Sequence, residues 1–180
     1  MVKLEYLLEE DFDKIIKWNE NTSPEYLMQW AGPTYKYPIT KEQIAGNFKN
    51  ISTKEESQIL IYKIIYTESN KVIGTIQLIK TDNVNKIGRV ARFLIGEESM
   101  RGKGAGTAAI GEILNIGFNT FLLEEITLGV FDFNYDAIRC YEKAGFKKTK
   151  FTENARVVEN KYWNLYEMSI KKNEWLKIKK

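Results

Sequence analysis

Seven residues, Arg101-Gly102-Lys103-Gly104-Ala105-Gly106-Thr107, constrain this chain more than any other stretch. They follow the apolar run Phe93-Leu94-Ile95 and precede a segment whose Ile110, Ile113, Leu114, Gly117, Phe118 and Phe121 recur at helical spacing. That pattern predicts a strand, a glycine loop and a helix in succession. The glycines let the backbone adopt conformations that a Cβ would resist and bring successive N–H groups close to a ligand. Those groups sit where the positive end of a helix dipole points, and Arg101 and Lys103 add charge. The stretch is suited to holding a phosphate.

The rest of the composition narrows the chemistry. With 180 residues, 43% of them hydrophobic and 13% aromatic, the chain has the material for one folded domain with a sizeable core. The net charge is only +3, and outside a Lys-rich end (Lys171, Lys172, Lys177, Lys179, Lys180) the cations are scattered, so no nucleic-acid partner is expected. No apolar run approaches a membrane span and Met1-Val2-Lys3-Leu4-Glu5 does not begin a signal peptide. The expectation is a cytoplasmic protein without a membrane partner. Histidine is absent, which removes Ser-His and Cys-His schemes together with the common zinc sites, and no metal is expected. The single Cys140 cannot form an internal disulfide and fits a reducing compartment.

Taken in order, residues 2 to 8 predict a first strand, and Glu9, Glu10 and Asp11 open a helix carrying Phe12, Ile15 and Ile16. Residues 24 to 38, rich in aromatics and loop formers, predict either an irregular cover over the core or a wall of a substrate pocket. Thr40 and Gln43 form a capping-box pattern for a second helix with Ile44, Phe48 and Ile51 on its buried stripe. Gln58 to Tyr66 and Lys71 to Ile79 predict an antiparallel hairpin, and a strand from Ile87 to Gly96 delivers the chain into the glycine loop. Behind the long helix, Ile126, Leu128 and Val130 alternate as a strand. Asn134 caps a short helix with Ala137, Ile138 and Tyr141 inward, which Gly145 ends. Phe146 opens the next strand, and a last strand spans Tyr162 to Ile170, followed by a charged tail containing Trp175. An antiparallel first half feeding a parallel β-α-β unit predicts an α/β (mixed α+β) fold, a mixed sheet with helices on both faces. An exposed edge strand at Tyr162 to Ile170 would suit a homodimer.

Three phosphate-binding patterns compete. A P-loop needs Gly-Lys-Ser or Gly-Lys-Thr, and Lys103 is followed by Gly104. Gly104 to Ala109 fits a dinucleotide fingerprint, but Glu124 begins the following strand, where a ribose-binding carboxylate should end it. The third pattern, R-x-x-G-x-G, is met by Arg101, Gly104 and Gly106, with Asn134-x-x-Ala137-x-x-x-Tyr141-Glu142-Lys143-Ala144-Gly145-Phe146 downstream. In these two motifs the chain resembles the GNAT superfamily of acyl-CoA-dependent N-acetyltransferases. Trp30-Ala31-Gly32-Pro33 with Pro38, and Glu174-Trp175, look like the branch that includes N-terminal ribosomal-protein acetyltransferases.

The resemblance implies a GNAT-type, largely antiparallel sheet of about seven strands in one domain over 1–180, with the CoA-binding core at about 87–147. It further implies acetyl-CoA as cosubstrate and a primary amine as acceptor, small molecule or peptide N-terminus. Leu94, Ile95 and Gly96 would pair with the pantetheine arm. Arg101, Gly102, Lys103, Gly104, Ala105, Gly106 and Thr107 would hold the pyrophosphate, and Asn134 would touch the cofactor. Tyr141 would be the general acid, its phenol near pKa ~10 matching a thiolate. Cys140 faces about 100° away from it and is expected to pack. No carboxylate occurs in residues 87 to 95 to act as base, and Asp132, Glu97 and Glu98 look like solvated loop charges, so no base is assigned. The missing strand carboxylate leaves a non-catalytic acyl-CoA-binding module as the alternative.

Overall fold

A computed structural model of the chain describes residues 1–49 and 57–179. The elements run β1 (Val2–Tyr6), α1 (Phe12–Asn19), α2 (Pro24–Ala31), α3 (Lys41–Phe48), β2 (Ile59–Tyr66), β3 (Lys71–Asp82), β4 (Ile87–Ile95), α4 (Ala105–Asn115), β5 (Glu125–Phe131), α5 (Tyr135–Lys143), β6 (Lys147–Val158), β7 (Lys161–Lys171) and α6 (Lys172–Ile178). The seven strands form one sheet of order β1-β2-β3-β4-β5-β7-β6, in which only β4 and β5 run parallel. This is the mixed, largely antiparallel sheet expected from the sequence.

The sequence of β2, Ile-Leu-Ile-Tyr-Lys-Ile-Ile-Tyr, lacks apolar-polar alternation because both of its faces are covered. Leu60, Tyr62 and Ile64 point to one core with Ile76, Leu78, Ile110 and Phe118, while Ile61 points to the other with Leu7, Phe12, Ile15, Leu27 and Ile44. Helices α4 and α5 cover the first face and α1 to α3 the second.

Lys63 is the exception in β2. It is 8% exposed and donates to Asp11 Oδ2 at 3.0 Å; Asp11, 2% exposed, also accepts from Lys14 at 3.0 Å and from the Leu8 N–H at 3.2 Å. Burial alone would raise the Asp11 carboxyl, but these hydrogen bonds outweigh it and hold it below the ordinary carboxylate range.

Several sequence expectations need correction. The segment from residue 24 onward is not irregular throughout: Ser23 caps α2 by accepting from the Tyr26 N–H at 3.2 Å, and Pro24 stands at its first turn. The charged tail is helix α6, whose Trp175 packs on Phe118 with ring centroids 5.2 Å apart. Strand β7 is not an edge, since it lies between β5 and β6, so the exposed edge on that side is β6. Only half of the capping box at Thr40 forms. Thr40 Oγ1 accepts from the Gln43 N–H at 3.3 Å, while the Gln43 side chain bonds the Lys36 N–H and the carbonyls of Lys36 and Pro38. Ile51, placed on that helix by its spacing, and Lys180 lie outside the described residues. No described helix is long and apolar enough to cross a membrane.

Replacing Asp11 leaves Lys63 buried without its anion, so Asp11→Ala is expected to lose about 3–5 kcal/mol at pH 7. Because the folded carboxyl is depressed, the wild-type advantage is present above its unfolded pKa of about 3.9 and disappears as pH falls through the folded value. Urea denaturation of both proteins at pH 7 and pH 3 measures this, and the gap between them should shrink at the lower pH.

Candidate active site

The site is made by two strands that part. Parallel pairing of β4 with β5 covers only Ile87↔Glu125, Gly88↔Ile126 and Arg89↔Thr127. Beyond it β4 is bulged: Ala91 pairs with Gln77 and Leu94 with Thr75, so Arg92 and Phe93 stand opposite Ile76 alone, with Arg92 at φ +45°. A bulge bends its strand and increases local twist, which carries the end of β4 away from β5. Arg89 fixes the point of separation. Its guanidinium crosses Gly129 of β5 and makes two bonds, 2.7 and 3.1 Å, to Glu167 on β7. A Cβ at Gly129 would stand 2.7 Å from Arg89 Nη2, so a side chain there would displace the guanidinium from this crossing.

On leaving β4 the chain turns through Gly102 at φ +71° and Gly104 at φ +83°, left-handed conformations that favour glycine. The first intrahelical bond of α4 is from the Ala108 N–H to the Gly104 carbonyl at 3.0 Å. The N–H groups of Gly102 to Thr107 therefore have no protein acceptor among the described residues. They form a run of free donors at the positive end of α4, with nothing within 4 Å of where a Cβ of Gly102 or Gly104 would be. Lys103 is exposed beside them, without an ion-pair partner among the described residues. Arg101 behaves differently from the expectation that it adds charge to the loop. Its Nε donates to the Ile95 carbonyl at 2.8 Å and its Nη2 to the Tyr26 hydroxyl at 2.7 Å, which ties the end of β4 to α2.

Where the strands part, a cavity of 280 Å³ opens, lined by Tyr26, Gln29 and Trp30 of α2, Phe93, Leu94 and Ile95 of β4, Arg101, Gly129 and Val130 of β5, and Asn134, Ala137 and Tyr141. Leu94, Ile95, Arg101, Asn134 and Tyr141 are thus brought together as the sequence suggested. The loop residues Gly102 to Thr107 lie outside the lining, on the turn into α4. Asn134 caps α5, its Oδ1 accepting from the Ala137 N–H at 3.3 Å, so one residue both starts the helix and faces the cavity. Tyr141 packs against Phe93 and Phe146 with centroids 6.3 and 6.1 Å away. Its hydroxyl has no protein partner among the described residues. Burial, with a smaller effect from Cys140, pushes its phenol well above the usual range, so it holds its proton throughout the neutral region, and the match to a thiolate expected of a free phenol is not kept.

Gly96 departs from its expected place. Its N–H is engaged with the Ile73 carbonyl at 2.9 Å, facing β3 rather than the opening. Alternation along the strand turns the Ile95 N–H toward the opening instead. Glycine is required at 96 because a Cβ would meet the Trp18 indole at 2.0 Å. Cys140 packs as expected, its Sγ 3.5 Å from Thr107 Oγ1. No carboxylate lines the cavity. Asp132 accepts from Asn164 at 2.9 Å, Glu97 pairs with Lys71 and Glu98 with Arg101. Tyr26, Gln29 and Trp30 belong to the stretch 24 to 38, for which the sequence offered a pocket wall as one of two readings, and the Ser23-Pro24 helix start puts them on one face of α2 toward the cavity.

A family model described as acetyltransferase (GNAT) domain matches residues 2–147. The SPbeta prophage-derived uncharacterized N-acetyltransferase YokL of Bacillus subtilis (strain 168) is 32% identical over 88 residues, 48% of this chain and 49% of that protein. The chain thus spans about half the length of this curated relative. Among solved structures, spermidine N-acetyltransferase from Vibrio cholerae in complex with CoA and spermine superposes with a TM-score of 0.82 at 18% identity, covering 97% of this chain and 98% of that one. A probable acetyltransferase superposes with a TM-score of 0.80 at 18% identity, over 97% and 94% of the two chains. These structural likenesses are of fold, and the family match spans most of the sequence. With its parted strands, glycine turn and free helix amides, the chain belongs to the GNAT acetyltransferase domain family.

Proposed function

We propose that the protein is an N-acetyltransferase that moves the acetyl group of acetyl-CoA to a primary amine by direct attack. The single observation that carries this is the run of free amides from Gly102 to Thr107 opening beside a cavity that holds a buried, protonated Tyr141. A GNAT relative that binds CoA and spermine supports the donor and an amine acceptor.

The free amides and Lys103 fit a diphosphate, and the space around Gly102 and Gly104 lets its oxygens approach the backbone. The thioester supplies an activated acyl carbon, and each remaining part of the chemistry falls to a group of this chain. The Ile95 N–H polarises the carbonyl oxygen, an interaction typically worth about 2.7–4 kcal/mol. As the N–C bond forms and the C–S bond breaks, Tyr141 gives its proton to the departing sulfur, and the proton that the attacking nitrogen sheds returns through water to the phenol. With no carboxylate in the lining, the amine reaches the cavity neutral or loses its proton through water. Much of the acceleration comes from alignment, which can be worth about 7–11 kcal/mol.

Placement in the branch of N-terminal ribosomal-protein acetyltransferases rests on Trp30-Ala31-Gly32-Pro33 and Glu174-Trp175. A cytoplasmic location is supported by the free Cys140 thiol.

The reading is tested by thiol release from acetyl-CoA over a panel of amines and peptide N-termini; the absence of any acceptor-dependent release would overturn it. Tyr141→Phe should lower kcat by about 10²–10⁴-fold while leaving CoA affinity within about twofold. An unchanged kcat would remove Tyr141 as the acid, whereas CoA binding with no acceptor acetylated by either protein would favour the acyl-CoA-binding module. Gly104→Ala forces a side chain into the left-handed region at a strain of about 1–2 kcal/mol, so calorimetry with CoA should show binding weakened roughly tenfold.

A further inference from the structure

The bulge that parts the strands also places Arg92 on the face covered by α1 to α3, away from α4. Its Nε donates to Thr34 Oγ1 at 2.9 Å and its Nη1 to Gln77 Oε1. Nη2 has no protein acceptor, and no carboxylate forms an ion pair with this half-buried guanidinium, among the described residues. Gln77 is 3% exposed, and because its oxygen is committed to Arg92, its Nε2 is left as a second donor without an acceptor among the described residues. Both side chains line a cavity of 20 Å³ bounded by Trp30 and Tyr35, which has room for one oxygen atom of water size. Trp30 borders this small cavity and the 280 Å³ opening alike.

Arg92 and Gln77 thus each keep an N–H facing this cavity without a protein acceptor among the described residues, and a half-buried cation held only by neutral groups gains from an anion placed there. Polyamines offer the opposite charge. Neither cavity has a carboxylate in its lining to receive one. We propose that the acceptor is an amine that also carries a carboxylate, and that Arg92 and Gln77 seat one carboxylate oxygen beneath Trp30 and Tyr35. This rests on the acetyltransferase reading above and names the class of its acceptor. Arg92 then acts as a specificity residue on the acceptor side, and the donor side is left to the α4 amides.

The test is thiol release with amino carboxylates from glycine to 6-aminohexanoate and with α-amino acids, each paired with its carboxamide, and with spermidine in parallel. At least one acid should exceed its amide by about thirtyfold or more in kcat/KM, and should exceed spermidine. Arg92→Gln should bring the acid-to-amide ratio near one without altering the KM for acetyl-CoA, and Arg92→Lys should keep part of the preference. The wild-type ratio requires no variant, so a misfolded Arg92→Gln does not shield the proposal. A ratio near one for every pair in the wild type, a preference for spermidine, or a ratio unchanged in a folded Arg92→Gln would overturn it. If no amine of any charge is acetylated, the acetyltransferase reading falls separately. Calorimetry of the same acids and amides on the CoA-loaded protein then decides the role of Arg92: binding confined to acids and lost in Arg92→Gln upholds it, and equal or absent binding overturns it.

Discussion

Everything functional in this molecule depends on β4 and β5 being paired for three residues and then separated. A parallel pair held along its whole length would bury the Ile95 N–H in a ladder bond and leave no space between Phe93 and Val130. Two devices prevent that. The bulge at Arg92 and Phe93 inserts a residue where β3 offers only Ile76, so β4 turns away from β5. The Arg89 bridge to Glu167 holds the still-paired portion together across β5. A bidentate guanidinium-carboxylate pair has fixed geometry as well as strength, and this one sits at the last paired register, where a seam would otherwise continue to open.

The opening is electrically simple. The free amides beside it carry partial charges that require no desolvation of an ion, and Tyr141, the proposed proton donor, is a phenol kept neutral by burial. Arg101 might be expected to dominate such a place, yet its charge is directed to carbonyl oxygens, the Tyr26 hydroxyl and Glu98. It works as a brace: among the described residues it makes the direct polar link between the end of β4 and helix α2 at the mouth of the cavity. Tyr26 in turn remains protonated, since burial raises its phenol more than the neighbouring guanidinium lowers it.

Much of the donor side was legible in the sequence because it is built from local signals. Gly102 and Gly104 mark backbone that no other residue tolerates well, Asn134 marks a helix start, and Tyr141 follows at a spacing that turns it inward. The errors came where two signals competed. Residues 24 to 38 carry Pro24, Pro33 and Pro38 among aromatics, which suggested loop, while Ser23 followed by Pro24 is also a sound helix start, and the helix prevailed because Leu27 and Ala31 are buried one turn apart. The tail was misjudged because its lysines concealed Trp175, whose burial against Phe118 anchors α6. The edge strand was misassigned for a different reason: order in a sheet is set by long-range pairing, and the hairpin of β6 and β7 inserts its second strand first.

Arg92 illustrates why the acceptor side resists such reading. In sequence it is one arginine in Arg89-Val90-Ala91-Arg92-Phe93, indistinguishable from Arg89, which strand alternation around a regular β4 would not single out. What separates the two is a bulge that no residue in the stretch announces, since neither glycine nor proline marks it, and the arrival of Thr34, Tyr35 and Gln77 from remote parts of the chain. Arg89 meets a carboxylate and becomes part of the scaffold; Arg92 meets only neutral acceptors. A backbone-made site can be recognised from the residues that free the backbone, whereas a side-chain-made site exists only once the sheet register has been fixed. On the proposed reading the donor half of this protein is of the first kind and the acceptor half of the second, so chains that share the glycine turn can differ in the amine they accept without any change in the part that identifies them.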